Sequence, residues 1–413
     1  MNAATEPHPR IATLDIVRGV AVMGILAMNI ADFAMPSQAY INPLAYGNEG
    51  PADLLSWAAS FILFDGKMRG LFSFLFGASM LLVIDGAEAK GEPSASVHMR
   101  RMGWLGVIGL LHYYLIWRGD ILFGYAVAGA IAWFFHTKDV RALVRWGIGF
   151  IALQFVLFAV LSAGVFHLAA AAAAPGASAE TLAAWTSKGN IFGVPTPDQV
   201  KASLELYRGS YAAIAGNRMT EQAGQPFVGL MFFTWETVGF MLLGMAALRT
   251  GFLTGAWENA RYRRIALLCL GFGLAVYAAY AAILWADGFS VETVAAIWSA
   301  ATVPVRPLTV IGFAALIILL TRGGGPLVER IAAAGRAAFT NYLGTSLAMT
   351  TLFFGYGVGL FGHLSRVELW LAVLPAWAVM LLWSKPWLKR FRYGPLEWVW
   401  RSLARGSPQP MRR

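Results

Sequence analysis

Apolar residues run along this chain in long blocks separated by short polar or basic segments. A helix needs roughly 20 apolar residues to cross a hydrocarbon core of about 30 Å. Ten blocks of suitable length fall at about residues 14–34, 54–85, 103–117, 121–136, 147–173, 227–248, 265–285, 304–320, 338–356 and 368–384. The pattern predicts an all-α polytopic membrane protein with about 10 transmembrane helices. It shows no soluble domain and no internal repeat.

Two places depart from a plain span. The second block would make a helix of about 48 Å, and "FDGKMRG" (64–70) interrupts it. We read it as a re-entrant or interfacial helix over 54–64, then a span from about residue 69. That layout puts Asp65, Lys67 and Arg69 at the outer surface. Non-helical backbone survives at membrane depth only beside protein or a water-filled cavity. The break is therefore a candidate cavity wall, with a plain interfacial corner as the alternative. The third and fourth blocks are short and predict a tight hairpin at Arg118-Gly119-Asp120.

The whole reads as one transmembrane domain over 1–405. It has a first half (1–173), an extracytoplasmic loop (174–226), a second half (227–405) and a disordered tail (406–413). Within the loop, "TPDQVKASLELYRGSYAAIAG" predicts a short amphipathic helix lying as a lid over the outer face.

Composition supports the membrane assignment: 58% of residues are hydrophobic and 13% charged, with a mean hydropathy of +0.59. A soluble protein of this size could not hide that much apolar surface. A net charge of +10 would point to nucleic acid in a soluble protein. Here the basic residues lie mostly between apolar blocks, so no nucleic acid partner is expected. With the N-terminus cytoplasmic, the inner segments hold 22 Lys and Arg, Arg10 among them, and the outer loops hold 6. The positive-inside rule then places both termini in the cytoplasm. Asp15 and Arg18 stand at the start of the first block and no small-residue cleavage site follows it, so we read it as a retained span. The single Cys269 forms no internal disulfide.

Ionisable and polar groups inside the blocks are the candidates for chemistry, because they are costly in hydrocarbon. Asp15 and Arg18 lie three apart and share a helix face. They form either an anchoring pair or an electropositive entrance for a phosphate-bearing donor. Asn29 lies on the same face three turns on, as interhelical glue or an oxyanion donor. In "GLLHYYLIWRGDILFGYA" (109–126), His112 suits a general base with Asp120 orienting it across the hairpin. The alternative is a structural hydrogen bond. Glu236 must be protonated, paired with Arg69 or Arg306, or facing water. Lys67, Arg69, Glu236 and Asn341 are candidate acceptor-binding residues, and polar packing competes at Asn341. The six histidines are scattered, so no metal site is expected. "RGGGP" (322–326) lacks a P-loop lysine.

Several segments together carry a resemblance: "RIATLDIVRGVAVMGILAMNI", "KMRGLFSFLFGASM", "LLHYYLIWRGDILFGYA", "AAFTNYLGTSL" and "FRYGPLEWVWRSL". In order from residue 10 to about 405, they resemble the YeiB-like family of bacterial inner-membrane proteins. The first half is similar to a wider group of transmembrane acyltransferases that includes the lysosomal heparan-α-glucosaminide N-acetyltransferase. That resemblance implies transfer of an acyl group, acetyl in the first instance, from cytoplasmic acyl-CoA. The acceptor would be a hydroxyl or amine on a sugar or glycan at the outer face. Asp15 and Arg18 match the group's opening motif, and Asn29 aligns with a site asparagine. The lysosomal enzyme's catalytic histidine follows eleven residues later, where this chain has Tyr40. His112 then takes the base role, backed by Asp120. Membrane lipid, and a second copy in a homodimer, complete the expected partners. The competing expectation is a proton-coupled transporter of a small solute. Its support is the broken second block with Glu236 and His112; against it, only one half shows a break. A non-catalytic membrane scaffold is the third expectation.

Overall fold

The computed structural model describes residues 11–413; Arg10 of the basic count lies outside them. The first half holds α1 (Ala12–Ala34), α2 (Pro51–Leu63), α3 (Lys67–Glu88), α4 (Ser94–Leu115), α5 (Leu122–Trp133) and α6 (Val140–Ala173). The loop that follows holds α7 (Ala179–Phe192), α8 (Pro197–Tyr207) and α9 (Tyr211–Met219). The second half holds α10 (Gln225–Arg249), α11 (Asn259–Ala286), α12 (Val291–Val294, continued by a π turn over 295–301) and α13 (Arg306–Thr321). It ends with α14 (Pro326–Arg336), α15 (Ala338–Phe353), α16 (Trp370–Arg390) and α17 (Pro395–Arg405). Among the described residues, the only extended pairing is an isolated bridge between Phe391 and Arg412.

The protein is an all-α membrane protein, and a helix occupies each of the ten apolar blocks. By length and composition, six segments are fit to cross a membrane: 12–34, 51–88, 140–173, 225–249, 259–286 and 370–390. A seventh forms if the pair 291–301 and 306–321, bent by 57°, counts as one. α5 has 12 residues and rises about 18 Å, well short of a core of about 30 Å. α5 alone is therefore too short to cross.

The helix starts follow from local chemistry. Asp139 caps α6 through the amide of Ala142, and Thr196 with Gln199 forms a capping box on α8. Each satisfies amides that a helix start leaves unpaired. α1, α3, α10 and α13 supply much of the main buried cluster, with Val17, Leu71, Met241 and Ala314 all inaccessible. α6 and α11 instead expose Val160, Leu267, Leu268 and Phe272, as lipid-facing surfaces do.

Two expectations need correction. The loop carries three helices rather than one, because Ser178, Thr196 and Ser210 each cap a new start. The tail after residue 405 is ordered. The Arg392 amide bonds to the Met411 carbonyl at 2.9 Å, and the Trp398 indole bonds to the Gln409 carbonyl at 2.6 Å. These bonds pin the last residues back against the end of α16.

Candidate active site

The hairpin brings His112 and Asp120 together. His112 Nδ1 donates to Asp120 Oδ1 at 2.8 Å, and the two side chains are 1% and 2% exposed. Asp120 Oδ2 accepts from the amide of Phe123 at 2.9 Å and so caps the start of α5. One carboxylate thus fixes both the hairpin and the imidazole. Gly109 makes the approach fit, since a Cβ there would stand 2.4 Å from the Phe123 nitrogen.

With Nδ1 committed to a carboxylate, the neutral imidazole keeps its lone pair on Nε2. That atom is buried and has no hydrogen-bond partner. Buried polar atoms are nearly always paired, so an idle one beside a carboxylate-held ring calls for a reason. Around it stand Tyr342, its ring centroid 5.4 Å from His112, and Trp117, stacked on Phe33 at 3.9 Å. The Tyr342 hydroxyl accepts from the Ile121 amide at 3.3 Å and donates to the Gly119 carbonyl at 3.4 Å. Arg118 is ion-paired with Asp32 at the end of α1.

The loop helices close this site from the side where α1 ends. Tyr211 donates to the Leu115 carbonyl at 2.9 Å and Arg218 to the same oxygen at 3.4 Å. Tyr113 and Tyr114 donate to the carbonyls of Gln222 and Ala223 at 2.9 and 2.7 Å. The last carbonyls of α4 have no partner in their own helix, and the cover supplies one.

Asn29 lies on α1 one turn before Asp32 and Phe33, on the face that meets the hairpin. It is half-buried. Asp15 and Arg18 do pair, at 3.1 Å, but Arg18 also donates to Ser79 at 2.5 Å. These contacts tie α1 to α3. Asn341 is absorbed in packing: it donates to Ala334 and Ser384 and accepts from Trp383 at 2.8 Å, which holds α15 to α16.

The expected outer-surface position of Lys67 is wrong. Lys67 is fully buried; its Nζ donates to the carbonyls of Phe61 and Asp65 and sits 3.0 Å from the Tyr277 ring centroid. The break lies where α3, α10, α11 and α13 meet, with Gly66 taking a left-handed φ of 66° to turn the chain. Arg69 reaches inward too. It donates to Glu236 at 2.7 Å, and Arg306 donates to both Glu236 oxygens at 2.7 Å. Both sequence-named partners of Glu236 are therefore used at once. Arg306 Nη2 also bonds Thr302 at 2.6 Å, inside the bend before α13.

Comparison with known proteins bears on the whole chain. Residues 247–407 match the family described as "Protein of unknown function (DUF418)". The uncharacterized protein YeiB of Escherichia coli (strain K12) is 32% identical, over 97% of this chain and 98% of that protein. The chain belongs to the YeiB-like family. The uncharacterized protein YxaH of Bacillus subtilis (strain 168) is 28% identical over 98% of this chain and 97% of its own length. A 39.9 kDa protein encoded in an amylase 3′ region of Bacillus acidopullulyticus is 25% identical over 97% of this chain.

This YeiB-like chain also holds a cavity of about 60 Å³ between α1, α2 and the loop before α16, room for several waters. Tyr40, Ser60, Asp65 and Arg366 supply polar groups, with Trp57 and Trp298 among the apolar walls. Burial, with Asp65 and Asp32 adding, pushes the Tyr40 phenol well above its ordinary value. Tyr40 is therefore a neutral donor and no base. Asp32 and Arg366 escaped the sequence reading, which placed Asp65 at the outer surface and gave it no role. Asp32 is a lone carboxylate at the end of an apolar run, a signal that could have been used. Arg366 sits in a loop and gives none.

Proposed function

We propose that this protein is a transmembrane acyltransferase of the bacterial inner membrane, with both termini cytoplasmic. It moves an acyl group, probed first as acetyl, from cytoplasmic acyl-CoA to a hydroxyl or amine, on a sugar or glycan, at the opposite face. The observation that carries this reading is the idle Nε2 of His112, with Asp120 on the other ring nitrogen. That arrangement suits a general base.

In this reading Nε2 takes the acceptor's O–H or N–H proton as the acceptor attacks the thioester carbonyl. Asp120 stabilises the imidazolium. Asn29, on the adjoining face of α1, donates to the oxyanion. Collapse of the tetrahedral intermediate breaks the C–S bond, and His112 returns the proton to the CoA thiolate. Products are the acylated acceptor and free CoA. The acceptor reaches the dyad when α8 and α9 move aside, as lids do. Donor phosphates at Arg18 would compete with Asp15 and Ser79 for its guanidinium.

The test is release of free CoA thiol from acetyl-CoA by purified protein with a panel of amino sugars and glycans. His112→Asn should lower turnover by about 10²–10⁴ with no change in folding. Equal turnover in the variant would sink the assignment.

A second reading, proton-coupled transport, gains one observation. The bend of 57° before α13 adds a second discontinuous helix, so each half of the chain has one. The two breaks meet, because a Cβ on Gly66 would stand 2.6 Å from Arg306 Nε. Paired broken helices at a charged centre are a transporter pattern. Solute uptake driven by a pH gradient in proteoliposomes, with no CoA release, would favour it.

A further inference from the structure

α3 and α13 both begin at the junction of the two breaks. A helix start carries partial positive charge. Beside this junction lies the cavity walled by Tyr40, Asp65 and Arg366.

Three features of that wall are left unspent by the fold. Arg366 is 6% exposed and its Nη2 bonds only the carbonyls of Ala39 and Asn42, at 2.6 and 3.5 Å. Its Nε is buried without a partner. The one carboxylate in its electrostatic reach is Asp53, whose oxygens already accept the amides of Glu49 and Val367. Burial pulls the Arg366 guanidinium down to about 10, so it stays cationic at neutral pH. The second feature is Tyr40, whose phenol is kept protonated and is a ready donor. The third is Asp65, whose carboxyl also lines the cavity.

A buried guanidinium with an unpartnered Nε is costly, and an anion in the cavity would relieve it. The remaining walls decide which anion. Ala27, Ile30, Trp57, Phe61 and Leu369 are apolar, which suits a short hydrocarbon tail. Among the described residues, Arg366 is the one basic side chain lining the cavity, so a single negative charge is matched. We infer that the cavity beside the junction of the two helix breaks binds a small organic monocarboxylate, its carboxylate held by Arg366 and the Tyr40 hydroxyl. The site rests on neither functional reading, and binding is read without turnover.

The test is the unfolding midpoint of the purified full chain in detergent, titrated at matched ionic strength with butyrate, butyramide and phosphate. A ligand that binds only the folded state must raise the midpoint. Butyrate should do so saturably; butyramide and phosphate should not. Arg366→Lys should weaken butyrate about tenfold, since an ammonium cannot reproduce the guanidinium fork. Tyr40→Phe should weaken it about fivefold, from one lost hydrogen bond, and stands alone if Arg366→Lys fails to fold. A merely structural Arg366 would not distinguish butyrate from butyramide. No shift with butyrate, an equal shift with butyramide or phosphate, or unchanged butyrate affinity in Tyr40→Phe overturns the proposal.

Discussion

Replacing Glu236 by Gln leaves shape almost unchanged and removes one negative charge from between two guanidiniums. Glu236 is 2% exposed at its side chain and Arg306 is 6% exposed. Three contacts of 2.7 Å join the carboxylate to Arg306 and Arg69. At an effective dielectric of about 20, one such pair attracts by roughly 6 kcal/mol before desolvation. Gln still accepts a hydrogen bond, so the net loss is smaller. Breaking a buried pair from one side typically costs about 3–5 kcal/mol, and the lower end is expected here because Arg306 retains Thr302. At about 1.4 kcal/mol per decade, that lowers the folded-to-unfolded ratio at least a hundredfold. The assay is denaturant unfolding in mixed micelles, followed by tryptophan fluorescence. The double variant Glu236→Gln/Arg306→Met removes both buried charges of the pair and should recover most of the loss. If Glu236→Gln lies within about 1 kcal/mol of the parent, or the double variant is no more stable than the single, the cluster is not a closed ion network and the reasoning fails.

Gly109→Ala should cost about 1–3 kcal/mol through overpacking. It should also part His112 from Asp120, visible as a changed imidazole proton signal by NMR. Deleting residues 406–413 should raise hydrogen exchange at the Arg392 amide, which the tail now bonds, while leaving the membrane core protected. Glu397 lies outside the spans, and burial raises its carboxyl above the ordinary 4.5. Folding therefore binds a proton there, and stability falls as pH rises from about 4.5 through the folded value. Glu397→Gln should flatten that slope in a pH series of unfolding midpoints.

Helices were legible wherever an apolar block was long, and so was the break at 64–70, because Gly and charge interrupt a run too long for one span. The dyad was legible because its members lie eight residues apart on one hairpin. Depth was harder to read. Lys67 and Arg69 looked like an outer rim, since a charge beside a break normally finds water. Here four helices converge on the break, and Glu236, far along the chain, neutralises what would otherwise be expelled. Arg366 was invisible for the same reason: its surroundings are loop carbonyls gathered from residues 39 and 42, and no local pattern announces such long-range contacts. The second bend, at 302–305, was missed because it falls at the start of the eighth block, where it read as an ordinary span boundary.

The hairpin that carries the dyad has a mechanical consequence. Asp120 holds the His112 ring with one carboxylate oxygen and the first turn of α5 with the other. A local opening that unwinds the start of α5 therefore also releases the imidazole. Loss of ring orientation and fraying of the hairpin are one event, and hydrogen exchange at the Phe123 amide would report both.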